Sequence, residues 1–146
     1  MSNEPGYRLT AALLAAADAL LRSSHKLFRP HGLTAAQFNV LNLLALGEPG
    51  MSQRELSDEL VVDKSNVTGL VDRMEKAGWL RRTEDPHDRR IYRITLTPAG
   101  KKLWAKVNPL YLNAVRQVTS PLSPLQIRQC LESLETLRRS AADWEQ

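Results

Sequence analysis

A run of small polar side chains lies between residues 65 and 73, spaced so that several of them share one face of a helix. Ser65, Asn66 and Thr68 carry hydrogen-bonding groups on short side chains, and Arg73 follows with a long cationic one. Short polar side chains suit close approach to base edges in the major groove of duplex DNA, and Arg73 could reach a base or a phosphate. Because the same short residues commonly begin helices, capping is the alternative interpretation, and it is compatible with a DNA contact.

A second group of polar residues occupies the turn-rich segment Asp85–Arg90, in which two arginines follow a proline and two aspartates. Arg89 and Arg90 lie at the tip of a predicted hairpin, where an extended arginine could enter the narrow, electronegative minor groove. The alternative for an isolated basic pair is a solvated turn. The acidic residues and the histidine of this segment also suggest catalysis, but a turn offers neither a pocket nor fixed geometry. We therefore do not expect an enzyme.

The segment 53–72 has the pattern of a helix-turn-helix, in which a short turn joins two helices. Ser57 is small where the two helices approach each other, and residues 61–64 form the turn. Asp72 and Glu75 are expected to face away from DNA. The pattern places the small polar residues on the outward side of the second helix and these apolar residues in the interior: Leu56, Leu60, Val67 and Leu70.

Several helix starts can be predicted from capping boxes, in which Ser or Thr is followed three residues later by Gln or Glu. Thr34, Ser52 and Ser123 each have this spacing, and Thr97 precedes a proline at a first helical position. These signals and the apolar periodicity predict helices at 7–28, 34–46, 52–60, 64–77, 98–118 and 123–142.

Two short β-prone segments, 79–84 and 91–96, flank the turn and predict a hairpin after the fourth helix. Pro109 is expected to kink or split the helix that contains it. The predicted fold is mainly α with a small β-hairpin, in the order ααααββαα.

Composition is that of an ordinary globular protein, and 146 residues predict a single domain. The net charge of +4 suggests a polyanionic partner, yet residues 52–96 contain nine basic and nine acidic residues. An argument for DNA therefore depends on where the cations lie. The apolar stretch Ala11–Leu21 is too short to cross a bilayer, and Met1–Arg8 is not a signal peptide, so we expect a cytoplasmic protein without a membrane partner.

The stretch 52–100 resembles the MarR (multiple antibiotic resistance regulator) family almost from end to end. The resemblance is carried by Asp63–Gly78 in the second helix of the motif, Asp85–Arg90 in the wing, and Leu96–Gly100 after it. It implies a winged helix-turn-helix over 34–100.

Membership of that family implies a homodimer built from helices in 1–33 and 101–146, and a palindromic double-stranded DNA site. It also implies a repressor whose DNA binding is relieved by a small molecule, and it makes Arg90 the wing-tip arginine, steadied by Asp88. Many relatives have arginine where this chain has Gly69, so the operator sequence does not carry over.

The same resemblance places an aromatic or phenolic effector among helices that contain few aromatic side chains. The candidates are Phe28, Phe38, Trp104 and Tyr111, with His25 as a polar neighbour. For the aromatic residues, a place in the hydrophobic core is the alternative.

We expect neither a metal nor a cofactor, because His25, His31 and His87 lack ligand spacing and partner cysteines. Cys130 is the only cysteine, and its place on an apolar stripe predicts a buried structural thiol. The competing function is a winged-helix module that binds another protein and does not recognise DNA specifically.

Overall fold

A computed structural model describes residues 4–47, 50–61 and 64–144. Within these ranges the chain is mainly helical, with a small antiparallel sheet, which confirms the predicted fold class. It forms two compact units, Met1–Tyr111 and Leu112–Gln146. The elements are α1 (Pro5–Phe28), α2 (Ala35–Leu46), β1 (Met51–Ser52), α3 (Gln53–Glu59), α4 (Val67–Lys76), β2 (Leu80–Glu84), β3 (Tyr92–Leu96), α5 (Pro98–Thr119) and α6 (Pro124–Trp144).

The capping boxes are present where the sequence predicts them, at Thr34, Ser52 and Ser123. At the first, the Gln37 backbone N–H donates to Thr34 Oγ1 at 3.1 Å and the Thr34 N–H donates to Gln37 Oε1 at 2.9 Å. Reciprocal bonds of the same kind begin α3 and lie at the start of α6. These starts are predictable because the signal lies within four consecutive residues.

The predicted hairpin pairs Leu80 with Leu96 at its base and Glu84 with Tyr92 near its tip. The short strand β1 joins its other edge, giving the order β1-β3-β2. The prediction that four helices precede the first strand is therefore wrong. A strand of two residues is too short to show the alternation of apolar and polar side chains that predicts a strand. Strand β1 forms because β3, about 40 residues later in the chain, supplies its hydrogen bonds.

Two helix predictions also need correction. Of the two outcomes expected at Pro109, a kink or a split, the split is wrong, because α5 runs continuously from Pro98 to Thr119. Proline removes a single N–H donor, and the turns on either side keep their own hydrogen bonds. The helix predicted from residue 64 begins instead with a 3-10 turn, Lys64–Asn66, and is α-helical only from Val67.

The core of the first unit draws on α1 to α5 and the sheet. Phe28, Leu41 and Met74 are among its fully buried side chains, and the interior positions predicted for the helix-turn-helix are all buried. Val67 and Leu70 anchor the inner face of α4 in the core, which holds its outward face in a fixed position.

The terminal helices expose apolar side chains in the single chain. Leu9 and Leu13 of α1 are 54% and 37% exposed, and no described residue of α6 is buried. Cys130 is exposed, so the prediction of a buried thiol is wrong for this chain taken alone. The apolar stripe on which Cys130 lies has no fully buried residue among those described.

Candidate nucleic-acid interface and effector cavity

The outward face of α4 consists of the small polar residues that the sequence singles out. Ser65, Asn66 and Thr68 are exposed, while Val67 and Leu70 on the opposite side are buried. Asn66 is the N-cap of α4, yet its side chain makes no capping hydrogen bond. Its carboxamide is therefore available for another interaction.

Helix α3 contributes to the same surface through Gln53 and Arg54. Gln53 Nε2 donates a hydrogen bond to Thr68 Oγ1 at 2.6 Å. Because that oxygen already accepts a bond, the hydroxyl proton of Thr68 is free to point outward as a donor. Gln53, Arg54 and Thr68 line a groove of about 440 Å³ between α3 and α4, together with Ser65 and Asn66.

The acidic residues of α4 share one cation of the neighbouring strand. Arg82 of β2 donates to Asp72 at 2.7 Å and to Glu75 at 2.5 Å. Partial burial lowers the pKa of Arg82, but the hydrogen bonds to the two carboxylates outweigh it and leave the pKa raised. The negative charge that would repel a phosphate is thus paired on the β2 side of the helix.

At the wing, Asp88 binds both the backbone and the side chain of Arg90. Asp88 accepts from the backbone N–H and from Nε of Arg90, at 3.0 and 3.1 Å, and a second guanidinium nitrogen donates at 3.2 Å. The Arg90 side chain remains 91% exposed. Arg89 is also exposed and has no ion pair within the described residues.

The base of the wing is joined to α3 by three charged residues. Asp85, which is only 7% exposed, accepts from Arg93 Nε at 2.8 Å and from the backbone N–H groups of His87 and Asp88. The Arg93 hydrogen bond is the largest cause of a pKa lowered to about 2 for Asp85. Arg93 also donates to Glu55 Oε2 at 2.9 Å.

Glu55 has two partners, since it also accepts the capping hydrogen bond from the Ser52 N–H at 2.7 Å. That backbone bond, followed by the pull of Arg93, lowers the pKa of Glu55. A groove of about 450 Å³ separates this part of α3 from the wing, and Gln53, Arg54 and Arg90 line it. Gln53 and Arg54 therefore border both the α4 groove and the wing groove.

A separate cavity of about 240 Å³ lies in the first unit among α1, α2 and α5. Phe28 stacks on Phe38 with ring centres 4.4 Å apart, and Tyr111 packs against both at 5.7 and 5.0 Å. Two amides from consecutive turns of α2 also face the cavity. The lining is Leu20, Leu21, Ser24, Phe28, Ala35, Phe38, Asn39, Asn42, Val61 and Tyr111.

These features agree with the comparisons to known proteins. Residues 31–91 match the MarR family. The homoprotocatechuate degradative operon repressor of Escherichia coli is 28% identical over 127 residues, which cover 87% of this chain and 85% of that protein. The transcriptional activatory protein BadR of Rhodopseudomonas palustris is 36% identical over 105 residues, 69% of this chain and 59% of that protein.

Among solved structures, CouR from Rhodococcus jostii RHA1 bound to p-coumaroyl-CoA superposes with a TM-score of 0.83 at 26% identity. The match covers 93% of this chain and 95% of that one. The chain belongs to the MarR family. The relatives matched in sequence are named as transcriptional regulators. This MarR-family chain shares the fold of CouR over 93% of its length.

The predicted DNA-binding residues of this MarR-family protein fall into two places. Thr68 and Arg73 are on α4, and Ser65 and Asn66 are in the 3-10 turn that leads into it. The others are in the turn that joins β2 to β3: Asp88, Arg89 and Arg90.

Of the predicted effector residues, Phe28, Phe38 and Tyr111 line the cavity, whereas His25 and Trp104 do not. His25 is exposed, and on α1 it is rotated by about 100° from Ser24, which does line the cavity. Trp104 instead donates from its indole nitrogen to Asn42 Oδ1 at 3.1 Å.

Several residues of the two candidate sites were missed by the sequence reasoning: Gln53, Arg54 and Arg93 at the candidate interface, and Asn39 and Asn42 at the cavity. Arg93 and Glu55 are 38 positions apart, so only the β1–β3 pairing brings them together. Asn39 and Asn42 were hidden because polar residues three apart on an apolar helix usually face solvent. Within the described residues no helix is long and apolar enough to span a membrane, and no cluster suited to a metal ion is found.

Proposed function

We propose that the chain is a homodimeric, cytoplasmic transcriptional regulator that binds a palindromic double-stranded DNA site and is released from it by an aromatic small molecule. Helix α4 reads bases in the major groove, and Arg90 of the wing enters the neighbouring minor groove. Helices within 1–33 and 101–146 form the dimer, and 34–100 contact DNA. Repression is the proposed outcome, as in the Escherichia coli relative that the chain covers by 85%.

One observation carries the DNA-binding proposal. The outward face of α4 is polar and makes no capping hydrogen bond through Asn66, its inner face is buried in the core, and the neighbouring wing carries an exposed arginine. Asn66 and Thr68 supply amide and hydroxyl groups, which are the groups that distinguish base edges. Arg90 remains almost fully exposed although it is paired, as an arginine poised for a groove would be.

The electrostatics explain how a segment with no net charge can attract DNA. Acidic side chains that could repel phosphates are paired internally, by Arg82 on α4 and by Arg93 at the base of the wing. Arg54 and Arg73 have no ion pair within the described residues. These two cations are therefore available for phosphate contacts.

The test is selection of bound sequences from a pool of random duplexes, followed by binding measurements across a salt series. We expect two inverted half-sites with centres about 10 base pairs apart, because a two-fold axis presents the recognition helices to successive major grooves. A linear fall of log affinity with log salt should accompany binding. A protein that enriches no sequence, or that captures a folded partner while ignoring DNA, would instead be the protein-binding module.

The effector half of the proposal rests on the cavity. Aromatic rings cover one wall, and the names of two relatives include the aromatic compounds homoprotocatechuate and p-coumaroyl-CoA. Asn42 Oδ1 is occupied by Trp104, and Asn39 Oδ1 accepts from the Val61 N–H at 3.5 Å, so their NH₂ groups remain as donors. We propose a ligand with an aromatic ring and an acceptor oxygen.

The effector is tested by thermal unfolding with a panel of hydroxybenzoates, cinnamates and their amides. A ligand that binds should raise the unfolding midpoint and release operator DNA. If the panel changes neither, the aromatic effector is abandoned while the DNA-binding proposal remains.

A further inference from the structure

Gly69 lies in the middle of the proposed DNA-facing side of α4, at a position where its conformational freedom is not needed. Gly32, Gly50 and Gly78 have positive φ angles, whereas Gly69 lies within a regular helix. Glycine in a helix interior is less favourable than alanine. The backbone therefore does not explain why this position lacks a side chain.

The surroundings of Gly69 supply the explanation. A methyl group on Gly69 would lie 2.6 Å from Asn66 Oδ1 and 3.3 Å from the nearest guanidinium nitrogen of Arg73. Asn66 is three residues before Gly69 and Arg73 four residues after, so all three share one face. The missing side chain leaves a notch that the carboxamide and the guanidinium occupy from opposite ends.

We propose that Gly69 is a specificity-determining residue, which lets Asn66 and Arg73 reach adjacent bases of one half-site. Asparagine pairs through two hydrogen bonds with adenine, and arginine does so with guanine. The half-site therefore contains an adenine contacted by Asn66 beside a guanine contacted by Arg73. This inference rests on the proposed DNA-binding function.

The contact at Gly69 is with the end of a flexible side chain and not with backbone, which makes the proposal testable without unfolding the protein. Gly69→Ala should displace the Asn66 carboxamide while leaving α4 intact. The helix gains a better helix former, so the thermal unfolding midpoint should rise by about 2 to 4 °C.

The experiment measures affinity for the selected operator and for each single-base variant of one half-site. Gly69→Ala and Asn66→Ala should each lose about 5- to 150-fold discrimination at the same adenine position. The double variant should lose no more than either alone, because both changes remove one contact. Lys76→Ala, an exposed change in the last turn of α4, is the matched control and should keep the wild-type preference.

Three results would overturn the inference: a Gly69→Ala protein with wild-type preference at every position, loss at a position different from that of Asn66→Ala, or a lowered unfolding midpoint. Failure of the proposed function looks different, because the wild-type protein would then show no base preference at any position.

Discussion

Arg89 and Arg90 are neighbours in sequence, but only Arg90 has its direction fixed by a partner within the described residues. An ion pair this exposed contributes little to stability, because solvent screens it. Its physical effect is to restrict the conformations of the guanidinium before DNA arrives. We therefore assign Asp88 a positioning role in DNA binding.

Arg90→Ala should weaken binding to most duplexes and reduce the slope of log affinity against log salt. The dimer loses two charges, so the slope should fall by up to about two counterion equivalents. Asp88→Ala should give a weaker form of the same defect, since it frees the arginine without removing it. Binding isotherms at several salt concentrations measure both, with Lys102→Ala on α5 as control. An unchanged slope in a folded Arg90→Ala protein would remove the wing from the mechanism.

The stability of the wing should depend on pH through Asp85. Its pKa is lowered from the ordinary value of 3.8 to about 2, mainly by Arg93, so the folded state favours the charged form. The stabilisation is fully present above the unfolded-state pKa and is lost as pH falls through about 2. Unfolding free energies measured from pH 7 down to pH 2 should therefore fall once the pH drops below about 3.8. The fall should be less steep for Asp85→Asn. A variant with the wild-type profile would show that other carboxylates account for the decline.

Among the elements, those that depend on adjacent residues were predictable from sequence, and those that depend on distant partners were not. The capping boxes at Thr34 and Ser52 and the hairpin are local, and each was predicted. Strand β1 depends on its pairing with β3, which is distant in sequence. The candidate site divides in the same way, because the α4 face follows from helical periodicity, whereas the Arg93–Glu55 link requires the sheet.

Helix α3 and the wing should be coupled through Glu55, which caps the helix and pairs with Arg93. Glu55→Gln retains a carbonyl oxygen for the Ser52 N–H but removes the charge, whereas Glu55→Ala removes both interactions. Loss of the capping bond should cost roughly 0.5 to 1.5 kcal/mol of unfolding free energy, seen only with alanine.

Both Glu55 variants should bind the operator more weakly than the wild type, because the link from Arg93 to α3 loses its charge in Glu55→Gln and is lost in Glu55→Ala. Urea unfolding and operator titration separate the two effects, and Glu59→Gln at the end of α3 is the control. If Glu55→Gln binds DNA as tightly as the wild type, the ion pair has no part in placing the wing.

For the whole molecule, the exposed apolar faces of α1 and α6 support the proposed dimer. Burial of apolar side chains is worth about 25 cal/mol per Å², and a face of this kind is stabilised by a second copy. Leu134→Glu on α6 should produce a monomer at micromolar concentration in sedimentation equilibrium, with loss of binding to the palindrome. Glu132→Gln changes an exposed polar residue of the same helix and should remain dimeric. A Leu134→Glu protein that stays dimeric would exclude this face of α6.

Binding of the effector and of DNA must be linked reciprocally if the cavity controls the dimer. A ligand that weakens operator binding by a given factor must itself bind more weakly to the complex by that factor, typically ~5- to 150-fold. Asn42→Asp tests whether the cavity is responsible, because the aspartate still accepts the Trp104 N–H but no longer donates through an NH₂ group.

We expect Asn42→Asp to bind the operator as the wild type does when no ligand is present, and to bind the ligand at least 5-fold more weakly. The release of DNA should shift to correspondingly higher ligand concentration. Asn113→Asp adds the same charge at an exposed site on α5 and controls for electrostatics. Calorimetric titration of the ligand into free and DNA-bound protein supplies both affinities. If Asn42→Asp binds the ligand with wild-type affinity while the ligand still releases DNA, the regulatory ligand occupies a site other than this cavity.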